Sequence, residues 1–173
     1  SDLYQHPGRS ALAGRLARFT LQRADLVTAD SQDLRRLAIH FGADPSTSHE
    51  IQWGVDRRSF FPAGKPAAWK DRLGIQDEPV LLSPRGVNRI YNLDVIVRAF
   101  ARVRAVYPRA VLILRAVNVD LDYQHEIEQL VETAGLSANV RWAPEIEPYP
   151  EVAGLYRLAD VVVSLASSDG TPV

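Results

Sequence analysis

The sequence has no cysteine, which excludes a disulfide framework, a thiolate zinc site and a cysteine nucleophile. Four histidines, His6, His40, His49 and His125, are scattered over unrelated segments and make a poor metal cluster. An excess of charge of either sign is also missing. Twenty basic against 21 acidic residues leave a net charge of −1, which argues against a nucleic-acid binder. No apolar run approaches the ~20 residues needed to cross a bilayer, and no signal peptide is evident. Cytoplasmic residence follows by default. No G-x-G-x-x-G, Walker lysine motif or G-x-S-x-G is found, which disfavours the common dinucleotide, P-loop and nucleophile-elbow readings.

What is present is an α/β rhythm. Leu12, Leu16, Phe19 and Arg23 fall at helical spacing, with Arg9, Arg15 and Arg18 on other faces, so 9–24 reads as a basic amphipathic helix. Such a helix could lie on an anionic membrane; packing on its own domain is favoured, because the stripe is narrow and lacks a tryptophan anchor. Leu26 to Ala29 suits a buried strand. Asp30 is a candidate N-cap for a helix carrying Leu34, Leu37, Ala38 and Phe41, which Gly42 stops. An extended piece over 50–53 follows. Residues 56–79 carry Pro62, Pro66 and Pro79 and read as a connector with a short helix near 67–73.

Beyond it, the runs 80–83, 110–114, 140–142 and 161–164 are short and rich in Val, Leu and Ile. The helical patterns between them begin at Asn92 as a cap, run through Ile127 to Ala134, and restart at Pro150 as an N1 residue. Strands alternating with helices of this length predict a doubly wound parallel α/β sheet. The expected organisation is 1–55 as the end of one Rossmann-like domain, 56–79 as connector and 80–173 as a second Rossmann-like domain. The sequence reads as part of a longer protein, incomplete at both ends.

In such sheets ligands bind outside the carboxyl ends of the strands, which selects the loops after Ser83, Leu114, Trp142 and Ser164. The first reads Pro84, Arg85, Gly86, Val87, Asn88, Arg89, Ile90, Tyr91 and then enters a helix. Two guanidiniums beside a helix N-terminus suit a phosphate dianion; a solvated loop is the even alternative. The last loop reads Ser167, Ser168, Asp169, Gly170, Thr171, where a carboxylate can accept hydrogen bonds from ligand hydroxyls, or serve only an Asx turn. Glu145 and Glu147 form a close carboxylate pair, but hydrolase pairs come from separated elements, so solvated loop charge is favoured.

Specific strings carry more than periodicity does. The run Arg23 to Ser31, then Trp53-Gly54-Val55-Asp56 with Phe60-Phe61-Pro62, resembles the inter-domain passage of retaining, nucleotide-sugar-dependent glycosyltransferases of family 4, which have the two-domain GT-B fold. Pro84-Arg85 with Tyr91-Asn92-Leu93-Asp94, and Ala159 to Val163 with Ser167 to Pro172, resemble that family's donor-binding domain. The strings occur in family order over nearly the whole chain.

The resemblance implies that Arg85 contacts the donor diphosphate and that Asp169 holds the first acidic position of a paired-glutamate motif, touching sugar hydroxyls. These two are the expected catalytic residues. Gly86, Arg89, Tyr91, Gly170 and Thr171 complete the expected donor contacts. Tyr91 stands where the family usually has lysine, with Arg89 as the candidate substitute cation, and Asp169 is one methylene shorter than the usual glutamate. The second glutamate of the motif would fall beyond Val173.

The implied activity is retaining transfer of a hexose from a UDP- or GDP-sugar to an acceptor hydroxyl. A saccharide or lipid-linked acceptor would bind an N-terminal domain outside this sequence, so these residues alone are expected to be inactive. Neither cofactor nor metal is implied, nor a nucleic-acid partner; peripheral membrane contact through the first helix is left open. A non-catalytic nucleotide-sugar or carbohydrate-binding module of the same fold is the alternative. A flavodoxin-like receiver or redox domain shares only the topology.

Overall fold

The computed structural model describes residues 10–145 and 149–167. His6, Glu147, Asp169, Gly170 and Thr171 therefore lie outside the described residues. The chain divides into two compact units, with the division between Val55 and Asp56.

The described part of the first unit, 10–55, is a helix followed by a β-α-β element. Its elements are α1 (Ala11–Leu21), β1 (Val27–Ala29), α2 (Gln32–His40) and β2 (Ser48–Glu50). The strands β1 and β2 pair in parallel, Val27 with Ser48 and Ala29 with Glu50. Two expectations shift here. The cap of α2 is Ser31 rather than Asp30, because the Ser31 hydroxyl accepts from the Leu34 amide at 3.3 Å while its own backbone stays extended. The paired strand is Ser48–Glu50 rather than 50–53, since Trp53 lies past the ladder and is 69% exposed. The glycine stop is found where the pattern put it, with Gly42 at φ 108°.

No residue of α1 is buried, in contrast to the packed helix expected. Leu12, Leu16 and Phe19 are exposed, and the Arg18 guanidinium lies over the Phe41 ring at 5.6 Å. Among the described residues this unit has two strands, and a sheet of two strands is too narrow to offer the helix a full layer.

The second unit, Asp56–Ser167, runs α3 (Ala67–Leu73), β3 (Val80–Ser83), a 3₁₀ turn (Arg89–Tyr91), α4 (Leu93–Val106), β4 (Val111–Arg115), α5 (Leu121–Thr133), β5 (Val140–Ala143), α6 (Tyr149–Leu158) and β6 (Val161–Val162). Its four parallel strands stand in the order β5-β4-β3-β6. Strand alternation divides the core into two layers. Leu112, Leu114 and Val140 face α4 and α5, where Ile96, Val97, Phe100 and Ile127 close over them. Val80, Leu82, Val111 and Ile113 face α3 and α6, meeting Trp69, Leu73, Leu155 and Leu158. A sheet buried on both faces explains why these strands read as nearly unbroken apolar runs. At the edge, β6 is the exception, with Val161 51% exposed.

The segment 56–79, expected as a connector, packs into this second unit: Ser59, Trp69, Leu73 and Ile75 are all buried. Trp69 donates its indole N–H to the Glu151 carbonyl at 3.1 Å, and Gly154 gives the ring room, since a Cβ there would come within 2.9 Å of it.

Candidate functional site

The strand order fixes where a ligand can enter. From β3 the chain proceeds outward through β4 to β5, then returns to place β6 on the opposite side of β3. The order therefore reverses at β3. In parallel sheets the crevice at such a reversal, outside the carboxyl ends of the strands, is the favoured ligand site. The loops that border it follow Ser83 and Val162, the two that carry the arginine and the acidic motif in the sequence.

These loops are fastened together. Asn92 adopts φ 49°, a left-handed conformation that asparagine tolerates better than most residues. It sits at the N-cap of α4 as expected, but its side chain makes no capping bond. The Asn92 Nδ2 instead donates to the Leu165 carbonyl at 2.6 Å and the Ser167 Oγ at 2.8 Å. The Ser167 amide donates back to the Ile90 carbonyl at 2.8 Å. Three hydrogen bonds thus hold the chain after β6 against the loop after β3, two residues before Asp169.

On the other side, the β3 loop is pressed against the chain leaving β4. The Val87 amide donates to the Val117 carbonyl at 3.0 Å, and Asp120 N donates to the Val87 carbonyl at 2.8 Å. Gly86 is the residue that permits this: a Cβ on it would lie 2.3 Å from the Val117 oxygen. Its absence of a side chain thus has a structural cause in this fold, whatever its amide contacts.

Arg85 is partly buried at the end of β3, and its guanidinium lies 5.1 Å from the centroid of the Tyr91 ring. Tyr91 thus orients Arg85 from the position where the resemblance implied a second cation. Behind them stands Tyr156 of α6, packed edge-on against Phe60 at 5.8 Å between centroids. Burial raises the Tyr156 phenol above its ordinary value, while the positive charges of Arg115 and Arg85 pull it back. Two guanidiniums therefore act at this end of the sheet.

Arg89 is engaged elsewhere. Its guanidinium bonds the Glu126 carboxylate at 2.5 Å and lies 5.0 Å from the Tyr123 ring. Glu126 first, then Asp120, hold Arg89 more firmly protonated than a free arginine. Around it is a groove of about 340 Å³ lined by Asn92, Asp94, Arg98 and Glu126. In that groove the Tyr123 hydroxyl donates to Asp94 Oδ1 at 3.1 Å and accepts from the Asp94 amide at 3.2 Å, so its polar groups satisfy one another. A larger cleft of about 520 Å³ lies in the first unit, lined by Leu21, Val27, Leu34, Ile51 and Trp53. It is apolar and lacks the convergent charges that a phosphorylated ligand requires.

The sequence marks the loop after Leu114 as a ligand loop without singling out a residue in it. The structure puts Arg115 there, at the last position of β4. The signal was a single cation closing an apolar run, which reads equally as a solvated strand end.

The sequence profile described as glycosyl transferases group 1 matches residues 67–173, more than half of the sequence. The chain belongs to this family. A D-inositol 3-phosphate glycosyltransferase of Geodermatophilus obscurus is 33% identical over 150 residues, covering 81% of this chain and 32% of the relative. Another of the same name from Kineococcus radiotolerans is 32% identical, over 82% of this chain and 34% of its own length. The chain thus spans about a third of the curated relatives it matches. Among solved structures, HepE of Anabaena in complex with UDP-glucose superposes with a TM-score of 0.82 at 20% identity, over 98% of this chain and 46% of that one. The C-terminal domain of LpcC, a glycosyl transferase group 1 protein of Francisella tularensis, gives 0.58 at 26% identity, over 68% and 61%. This glycosyl transferase group 1 chain accordingly has the parallel α/β architecture of GT-B glycosyltransferases, as its strand order shows independently. Among the described residues no helix is long and apolar enough to cross a membrane.

Proposed function

We propose that the second unit binds the nucleotide-sugar donor of a retaining glycosyltransferase of family 4, with Arg85 on the diphosphate. The observation that carries this reading is the fastening of the post-β6 chain to the β3 loop by Asn92 and Ile90, at the reversal point where Arg85 stands. That arrangement holds the chain up to Ser167 against the loop that carries Arg85, a partly buried cation. A sugar diphosphate needs positive charge for its phosphates, for which Arg85 is proposed, and a hydroxyl-accepting carboxylate for its sugar, for which Asp169 is proposed. The solved neighbours described as complexes with UDP-glucose and with UDP favour UDP among the nucleotides.

In the proposed reaction an acceptor hydroxyl attacks the anomeric carbon from the face the leaving group departs, the donor's C–O bond to the diphosphate breaks, and the hydroxyl's proton passes to the departing phosphate oxygen. Arg85 and neighbouring backbone amides stabilise the charge that develops on the departing phosphate oxygen. One well-placed donor of this type is worth about 3 kcal/mol. Asp169, Gly170 and Thr171 are proposed to hold the sugar. Hexose transfer is proposed for a protein of the relatives' length, with the acceptor on the partner domain, not for these residues in isolation.

Isothermal titration of the full-length protein with UDP, GDP and ADP tests the reading. UDP binding by the wild type that weakens at least tenfold in Arg85→Ala supports it; no nucleotide binding, or binding indifferent to Arg85, overturns it. The pairing of Arg89 with Glu126 and the tyrosine at position 91 favour a second reading, a binding module without transfer. A full-length protein that binds UDP-glucose but neither transfers nor hydrolyses it would select that one.

A further inference from the structure

Resting on the donor-binding reading, we propose that Arg115 is the second cation on the donor diphosphate. It would take the place that the sequence assigned to Arg89.

The argument begins with register. Ser83 pairs with Leu114 in adjacent parallel strands, so Arg115 comes level with Pro84, across a strand spacing of about 4.8 Å. Arg85 and Arg115 therefore leave neighbouring strand ends on the same rim. Beyond them the two loops remain in backbone contact through Val87 N to Val117 O and through the bare Cα of Gly86. Alternation along β4 places Arg115 on the side of Val111 and Ile113, the face covered by α6, whose Tyr156 feels both arginine charges.

Arg115 differs from Arg89 in what occupies it. Arg89 is exposed and holds Glu126. The Arg115 Nε is buried and has no hydrogen-bond partner among the described residues. On the adjacent strand end the Ser83 Oγ is buried and equally unsatisfied among them. A buried N–H without an acceptor is costly, and native structures tolerate few. One placed on the ligand rim of a parallel sheet, at the strand end next to the one that leads into Arg85, is accounted for by an anionic acceptor. Two guanidiniums from adjacent strands offer fork-shaped donors to both phosphoryl groups of a nucleoside diphosphate, and they do so without a lysine at position 91.

The test measures UDP and uridine affinity in the full-length protein for wild type, Arg115→Ala, Arg115→Lys, Arg115→Met and Arg89→Ala, with thermal midpoints for each. The expected result is a loss of UDP affinity of roughly tenfold to a hundredfold in Arg115→Ala. That loss should exceed the loss in Arg89→Ala and be partly restored in Arg115→Lys, with uridine affinity unchanged. Arg115→Met, which keeps the stem and deletes the unsatisfied donor, should bind UDP as poorly as Arg115→Ala while unfolding at the wild-type temperature or above. A purely structural arginine would give the reverse, a lower midpoint with UDP affinity intact. Wild-type UDP binding with no loss in Arg115→Ala overturns the inference and leaves the donor reading standing. Failure of the wild type to bind UDP, GDP or ADP overturns both.

Discussion

The two rims of the four-stranded sheet are built from similar residues and treated in opposite ways. At the amino rim, polar groups are matched. The Asp160 carboxylate accepts from the Val80 amide at 2.8 Å and from Lys65 at 2.7 Å. Burial pushes the Asp160 carboxyl up, but these two donors outweigh it and hold it below its ordinary value. Asn139, buried ahead of β5, donates to the Ala110 and Pro108 carbonyls at 2.8 and 3.1 Å. At the carboxyl rim, Ser83 Oγ and Arg115 Nε are buried and have no partner among the described residues. A fold that needed both rims only for stability would satisfy both. The contrast is what the proposed donor site at the carboxyl rim predicts, where unsatisfied hydrogen-bonding groups would meet the ligand.

The largest effect should come from forcing that rim apart. In Gly86→Ala the new Cβ meets the Val117 carbonyl oxygen, which belongs to backbone and cannot rotate away. About 3 kcal/mol of stability should be lost, the upper range for overpacking, and UDP affinity should fall at least tenfold because the β3 loop carries Arg85. Urea unfolding and calorimetry read the two separately. Wild-type values for both would mean that the approach of the β3 and β4 loops does not organise the site.

Two substitutions on opposite rims should then differ in sign. Asn139→Ala strands two carbonyls at the amino rim and should cost about 2 kcal/mol with UDP affinity unchanged. Ser83→Ala removes a hydroxyl that lacks a partner, so stability should stay level or rise by up to about 1 kcal/mol. Equal destabilisation in both would erase the distinction between the rims.

How much of this contrast the sequence discloses depends on how far apart the partners lie. The strand Val80–Ser83 and the loop beginning at Arg85 are legible because four successive apolar or small residues followed by a proline can be read locally. Asn92 is legible as a residue at a helix start but not as a latch, since its partners Leu165 and Ser167 lie more than 70 positions away. Arg89 illustrates the converse. It has the right chemistry and loop for a phosphate, and only the fold reveals that Glu126 of α5 reaches it. For Arg115 the deciding fact is burial of one nitrogen, which no pattern of neighbours encodes. Segment 56–79 misleads because its prolines suggest a linker, while Trp69 and Leu73 are core residues of the second unit.

The smallest effect concerns acid stability at the amino rim. Glu78, just ahead of β3, receives the Arg109 guanidinium at 3.0 Å and the Gln76 amide at 2.6 Å. These bonds, the arginine first, lower its carboxyl from 4.5 to about 2. A carboxyl lowered by folding contributes stability that is fully present above the unfolded value and disappears as pH falls through the folded one. Wild type should therefore exceed Glu78→Gln in thermal midpoint by a constant margin above about pH 5. The margin should close between 4.5 and about 2, as the carboxylate is protonated in both states. Because the pair is at the surface, added salt should shrink the margin at neutral pH. A gap that instead widened on acidification would mean that Glu78 is not held ionised by its partners, and the amino rim would lose one of the matched contacts on which its contrast with the carboxyl rim rests.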